Sequence, residues 1–163
     1  MFPANIINLA QTVLVAARAK NIRIVTAESC TGGLVAGALT EIAGSSDVFE
    51  RGFVTYSNDA KQQSLGVPAN TLREHGAVSI ATARAMAEGA IIHSHADVSV
   101  AITGVAGPGG GSEDKPVGFV CFAVSRKGQP TFTQEKRFGD SGRTIIRLAS
   151  VEVALHMLNQ ALS

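Results

Sequence analysis

Apolar residues recur at intervals of three and four near the start of the chain, where Ile6, Leu9, Ala10, Val13, Leu14 and Ala17 share one helical face behind Pro3. The pattern then changes. Ile22 to Thr26 predicts a short strand, Gly32 to Ala43 returns to helical spacing and stops at Gly44, and Gly52 to Tyr56 is rich in β-formers and predicts a second strand. Asp59 to Leu65, closed by Gly66, and Pro68 to Glu74 predict two short helices. Ser79 opens a longer helix that ends near His93, with Ala83, Met86, Ala87, Ala90 and Ile91 on one face.

Val98 to Thr103 and Val117 to Val124 are nearly continuous apolar runs, the pattern of central strands covered on both faces. Thr131 to Phe138 is more polar and alternating, so it predicts an edge strand, antiparallel to its predecessor across a tight turn at Lys127, Gly128 and Gln129. A final helix runs from about Ser141 to Leu162. Its stripe of Leu148, Val151, Leu155, Leu158 and Leu162 suits packing on the sheet, with a subunit interface as the alternative. The order α-β-α-β-α-α-α-β-β-β-α predicts an α/β fold, a three-layer α/β/α sandwich with a mixed, mainly parallel sheet.

Composition narrows the function classes. At 163 residues, 45% apolar and 17% charged, the chain is expected to form one domain that buries a core without staples. A net charge of +1 provides no basic field for a phosphate backbone, so no nucleic acid partner is expected. No apolar run approaches the roughly 20 residues needed to span a bilayer, so no membrane association is expected either. Cys30 and Cys121 cannot make a disulfide framework, and the first residues lack a secretory n-region and h-region; a cytoplasmic, reducing setting is expected. The unusual number is seventeen glycines, set against one Tyr and no Trp.

Ligand sites in open α/β sheets gather outside the carboxyl ends of strands. Three predicted strand ends carry polar tips: Ala27-Glu28-Ser29-Cys30-Thr31-Gly32-Gly33, Tyr56-Ser57-Asn58-Asp59-Ala60-Lys61, and the loop from Thr103 and Gly104 through Gly107, Pro108 and Gly109 to Gly111. Ser29 lies where a strand turns into a helix, a place that can expose a nucleophilic hydroxyl beside free helical N–H groups, and Gly32 and Gly33 let a ligand approach the backbone there. Ser29 or Thr31 as a simple helix cap is the alternative. None of the four histidines lies beside these strand ends, and no CxxC, HExxH or spaced acidic cluster is present, so neither a metal nor a cofactor is expected.

Lys61 is then the candidate base, provided that a pocket keeps it neutral, and Tyr56 is placed to relay or orient the proton. A solvated lysine and a half-buried ring are the plainer readings of these two. Cys30 is a competing nucleophile, or else a small buried residue. The glycine loop can present N–H groups to an anion, although it matches neither Walker A nor GxGxxG spacing, and a flexible turn is the alternative. Arg143 falls in the first turn of the last helix, where a cation opposes the dipole; a bound anion would explain it, as would pairing with Asp140.

Four stretches carry a resemblance: TAESCTGG (Thr26 to Gly33), VTYSNDAK (Val54 to Lys61), AITGVAGPGGG (Ala101 to Gly111) and KPVGFVCFA (Lys115 to Ala123). Together they resemble the CinA C-terminal domain family over nearly the whole chain. The resemblance implies hydrolysis of the carboxamide of nicotinamide mononucleotide to nicotinate mononucleotide and ammonia, in pyridine-nucleotide salvage and without a metal. It places the family's nucleophile on Ser29, its base on Lys61 and its tyrosine on Tyr56, with Thr103 and Arg143 at substrate-contacting positions. Gly32, Gly33, Gly104, Gly107 and Gly109 join them as candidate substrate-binding positions. A homo-oligomer, with a homodimer favoured, is the expected assembly. The family's larger members add an N-terminal nucleotide-processing domain without a counterpart here, so no pyrophosphatase role is expected. A regulatory module that binds nucleotide without turnover is the alternative function.

Overall fold

Pro3, with φ held near the helical value and no N–H to lose, precedes α1 (Ala4–Ala19) in a computed structural model that describes all 163 residues. The chain continues through β1 (Ile24–Glu28), α2 (Leu34–Thr40), a short 3-10 turn (Ser45–Asp47) and β2 (Phe49–Val54). Three helices follow: α3 (Asn58–Leu65), α4 (Ala69–His75) and α5 (Ile80–Ile92). Then come β3 (Val98–Gly104), β4 (Phe119–Arg126), β5 (Phe132–Arg137) and α6 (Arg143–Leu162). Ser57 and Ser79 cap α3 and α5, each accepting a backbone N–H three residues on, and Gly66 closes α3 in the left-handed region at φ 66°.

The strands form one sheet in the order β2-β1-β3-β4-β5. β1 pairs in parallel with both β2 and β3, while β4 is antiparallel to β3 and to β5, so only β4 runs against the others. This is the mixed, mainly parallel sheet expected from the sequence. The alternation of side chains across the sheet divides the core in two. Ile24, Val98, Val100, Ile102, Val120 and Phe122 face α1, α2 and α6, whereas Val25, Ala27, Ala101, Cys121 and Ala123 face α3, α4 and α5. Small residues on the second face let α5 approach closely, and Ser99 uses the proximity to donate to the Ala87 carbonyl at 2.6 Å. Gly89 of α5 lies so close to α3 that a Cβ there would meet the Leu65 carbonyl oxygen at 1.9 Å.

Two boundaries differ from the sequence pattern in ways that shape the site. β1 ends at Glu28 and α2 starts only at Leu34, because Gly32 and Gly33 take φ values of 60° and 95° that no right-handed helix contains. A five-residue turn, Ser29 to Gly33, therefore replaces the expected helix start. β2 begins earlier and ends at Val54, since its register against β1 pairs Ile24 with Phe49 and Glu28 with Val54. Tyr56 thus stands beyond the strand. No helix is long and apolar enough to cross a membrane.

Candidate active site

Successive residues of a strand point to opposite faces, and the last residue of β1 and its successor put this to use. Glu28 points into the α2 layer, where its fully buried carboxylate accepts the N–H groups of Gly33 and Val35 at 3.1 Å and of Ala36 at 2.9 Å. Those orphan donors of the helix start are thereby satisfied. Ser29 turns to the α3 side. Its Oγ lies 3.0 Å from Nζ of Lys61, whose side chain is 1% exposed and also donates to the Thr55 carbonyl at 2.8 Å. The cap of α3 at Ser57 sets Lys61 one turn into that helix, facing back toward the sheet.

Burial holds the Lys61 ammonium below the ordinary lysine range, opposed only by the nearby Cys30 thiol. With Lys61 neutral, its lone pair can accept the Ser29 hydroxyl proton. Cys30 is 5% exposed, and burial above all pushes its thiol up to about 12, so the thiolate needed for attack is disfavoured. Cys121 is likewise pushed up to about 12 by burial inside β4.

Ser29, Cys30, Tyr56, Lys61, Thr103, Gly104, Gly107, Gly109 and Arg143 line one cavity of about 260 Å³ at the carboxyl ends of β1, β2 and β3. Its walls hold two basic side chains and no carboxylate. Thr103 is buried and donates to the Ala77 carbonyl at 2.7 Å, leaving its oxygen free to accept. Arg143 donates to the Gly107 carbonyl at 2.8 Å and to the Tyr56 hydroxyl at 2.9 Å, tying the glycine loop to the second strand end rather than pairing with Asp140. Lys115 pins the far side of that loop by donating to the His75 carbonyl at 2.6 Å. The N–H groups of Ala106, Gly107, Gly109 and Gly110 have no acceptor within the protein.

Gly32 and Gly33 do not line this cavity. The Gly33 N–H belongs to Glu28, and the Gly32 N–H donates to the Ser29 carbonyl at 3.0 Å. Two residues absent from the sequence-derived set shape the turn instead. Glu28 had a visible signal, the only ionisable residue of its strand and placed at its end. Arg147 had one too, four residues after Arg143 and so on the same helix face; it donates to the carbonyls of Cys30 at 3.1 Å and Thr31 at 3.0 Å.

The CinA C-terminal domain model matches residues 6–162. Nicotinamide-nucleotide amidohydrolase PncC of Escherichia coli K12 is 47% identical over 161 residues, covering 98% of this chain and 96% of that protein. A CinA-like protein of Mycolicibacterium vanbaalenii is 51% identical over 140 residues, but this chain spans only 33% of its length. The first curated relatives are thus about three times as long as the part of them matched here. The crystal structure of competence/damage inducible protein CihA from Agrobacterium tumefaciens superposes with a TM-score of 0.97 at 54% identity, over 99% of this chain and 98% of that one. With the family model matched from the first helix to the last and the same fold in solved relatives, the chain belongs to the CinA C-terminal domain family.

Proposed function

We propose that this protein hydrolyses the carboxamide of nicotinamide mononucleotide to nicotinate mononucleotide and ammonia, by acyl transfer through Ser29. The observation that carries the reading is the 3.0 Å approach of Lys61 Nζ to Ser29 Oγ in a cavity that also holds Arg143 and no carboxylate. The activity named for the E. coli relative supports the same reaction class. Neutral Lys61 takes the hydroxyl proton as Ser29 Oγ attacks the carboxamide carbon. The oxyanion is received by the Cys30 N–H, the amide that follows the nucleophile and has no acceptor outside its own residue. Lys61 then returns its proton to the departing nitrogen, and ammonia leaves an ester on Ser29. Water, deprotonated by the same lysine, cleaves the ester to the carboxylic acid and free serine.

Tyr56 accepts from Arg143, so its own O–H remains available to the departing nitrogen or to a substrate oxygen. Arg143 and the open amides from Ala106 to Gly110 suit the ribose phosphate, and Thr103 suits a donor on the carboxamide or ribose. Ammonia release from nicotinamide mononucleotide tests the reading. The wild type and Cys30→Ala are expected to release it at similar rates and Ser29→Ala not at all. A wild type that binds the nucleotide without turnover would instead be a regulatory module, and loss in Cys30→Ala alone would move the nucleophile to the thiol.

The pH profile follows from the direction of the Lys61 shift. Only the neutral amine can act as base, so kcat/KM is expected to rise with pH to a plateau, with its midpoint below the ordinary lysine value of about 10.4. Initial rates over an alkaline pH series check this, and a rate that falls through the same range would exclude a lysine base.

A further inference from the structure

Arg147 does not itself line the cavity, yet it is the only side chain that bonds the carbonyls of the nucleophile turn. In a trans peptide the C=O and the following N–H point in opposite directions. By holding the Cys30 carbonyl toward α6, Arg147 turns the Thr31 N–H away from α6. By holding the Thr31 carbonyl, it turns the Gly32 N–H inward, where it donates to the Ser29 carbonyl at 3.0 Å. The Ser29 carbonyl is thus directed into the turn, and the Cys30 N–H on the same peptide plane is directed out of it. Cys30 lines the cavity, and its N–H has no acceptor outside its own residue.

The Glu28 carboxylate excludes the alternative donors. Glu28 holds the N–H groups of Gly33, Val35 and Ala36 in the opposite layer, so the start of α2 cannot serve the site. Gly32 makes room for the guanidinium: a Cβ there would lie 3.3 Å from Arg147 Nη2 at a φ of +60°.

We infer that Arg147 is a positioning residue for the acyl-transfer step, holding the peptide planes of the turn so that the Cys30 N–H faces the oxyanion formed at Ser29. The inference rests on the amidohydrolase reading above. It separates Arg147 from Arg143, which reaches the cavity and is assigned to substrate binding.

In Arg147→Met, kcat for ammonia release is expected to fall about 100-fold with KM little changed, the effect of a misdirected oxyanion donor. Arg147→Lys, which keeps the stem and charge but loses the planar fork, is expected to stay impaired and serves if the methionine variant does not fold. Free guanidinium, below denaturing concentration, is expected to restore part of the rate of Arg147→Ala. Independently of the amide substrate, the rate at which a fluorophosphonate labels Ser29 should fall in parallel with kcat. A rise in KM with kcat retained would make Arg147 a substrate contact and overturn the inference, as would wild-type labelling and turnover rates in both folded variants. A wild type that releases no ammonia but labels Ser29 at an Arg147-dependent rate would overturn the amidohydrolase reading and uphold the positioning role.

Discussion

Lys61→Met is expected to lower kcat for ammonia release by at least about 10⁴-fold, comparable to Ser29→Ala, because nucleophile and base act as one unit and losing either stops the step. The fold should tolerate the change. Methionine fills similar space at a site that is 1% exposed, and the substitution removes a group whose charged form burial disfavours. The folded-state affinity of Lys61 for its proton lies below that of the unfolded chain, so between the two values the unfolded chain binds more protons and wild-type stability rises with pH. The penalty of the buried lysine is fully present below its folded value and fades as pH approaches about 10.4. Lys61→Met should therefore compare best with wild type at the acid end of the pH range and lose that advantage in alkali. Thermal unfolding of both proteins across pH, with initial rates on the same preparations, tests the two halves together. Retained turnover in Lys61→Met would remove the lysine from the mechanism, and an advantage that grows with pH would contradict the assigned burial effect.

Glu28→Ala is expected to cost about 3 kcal/mol or more of stability. Three helix-start N–H groups lose their only acceptor in a buried site, and each such donor is worth about 1–3 kcal/mol. For a chain of this length a loss of that size lowers Tm by about 10 °C. Glu28→Gln should lose less, since the amide oxygen still accepts while its NH₂ faces a donor. Activity should fall along with stability, because the carboxylate that holds α2 also sets the far end of the Ser29 to Gly33 turn. Urea unfolding of the two variants reads the first effect. A wild-type midpoint in Glu28→Ala would mean that those amides find other partners and that the carboxylate does not hold the turn.

Secondary structure was legible in the chain because it is written locally. The helical stripe of α1, the continuous apolar runs of β3 and β4, and the serines that cap α3 and α5 each specify their element through neighbours a few residues apart. The site was legible to the extent that polar residues follow apolar strands. Ser29, Tyr56, Lys61, Thr103, Arg143 and the glycine loop were marked by position, and they line one cavity. Gly32 and Gly33 were marked by the same rule and fell outside it. Their left-handed φ values belong to the turn, and whether a backbone N–H faces a ligand or a carboxylate depends on a side chain in another layer.

The sequence by itself determined the order of elements, the three polar strand ends and the scarcity of charge that leaves room for a small anionic substrate. Their spacing along the chain carries that information. Only the tertiary structure decided the strand order β2-β1-β3-β4-β5, which sets Ser29 against a lysine 32 residues away. It also decided that Glu28 and Arg147 both hold the nucleophile turn, the first at its Gly33 end and the second at Cys30 and Thr31. Pairing across a sheet and burial of a charge are properties of residues distant in sequence, so no local pattern records them.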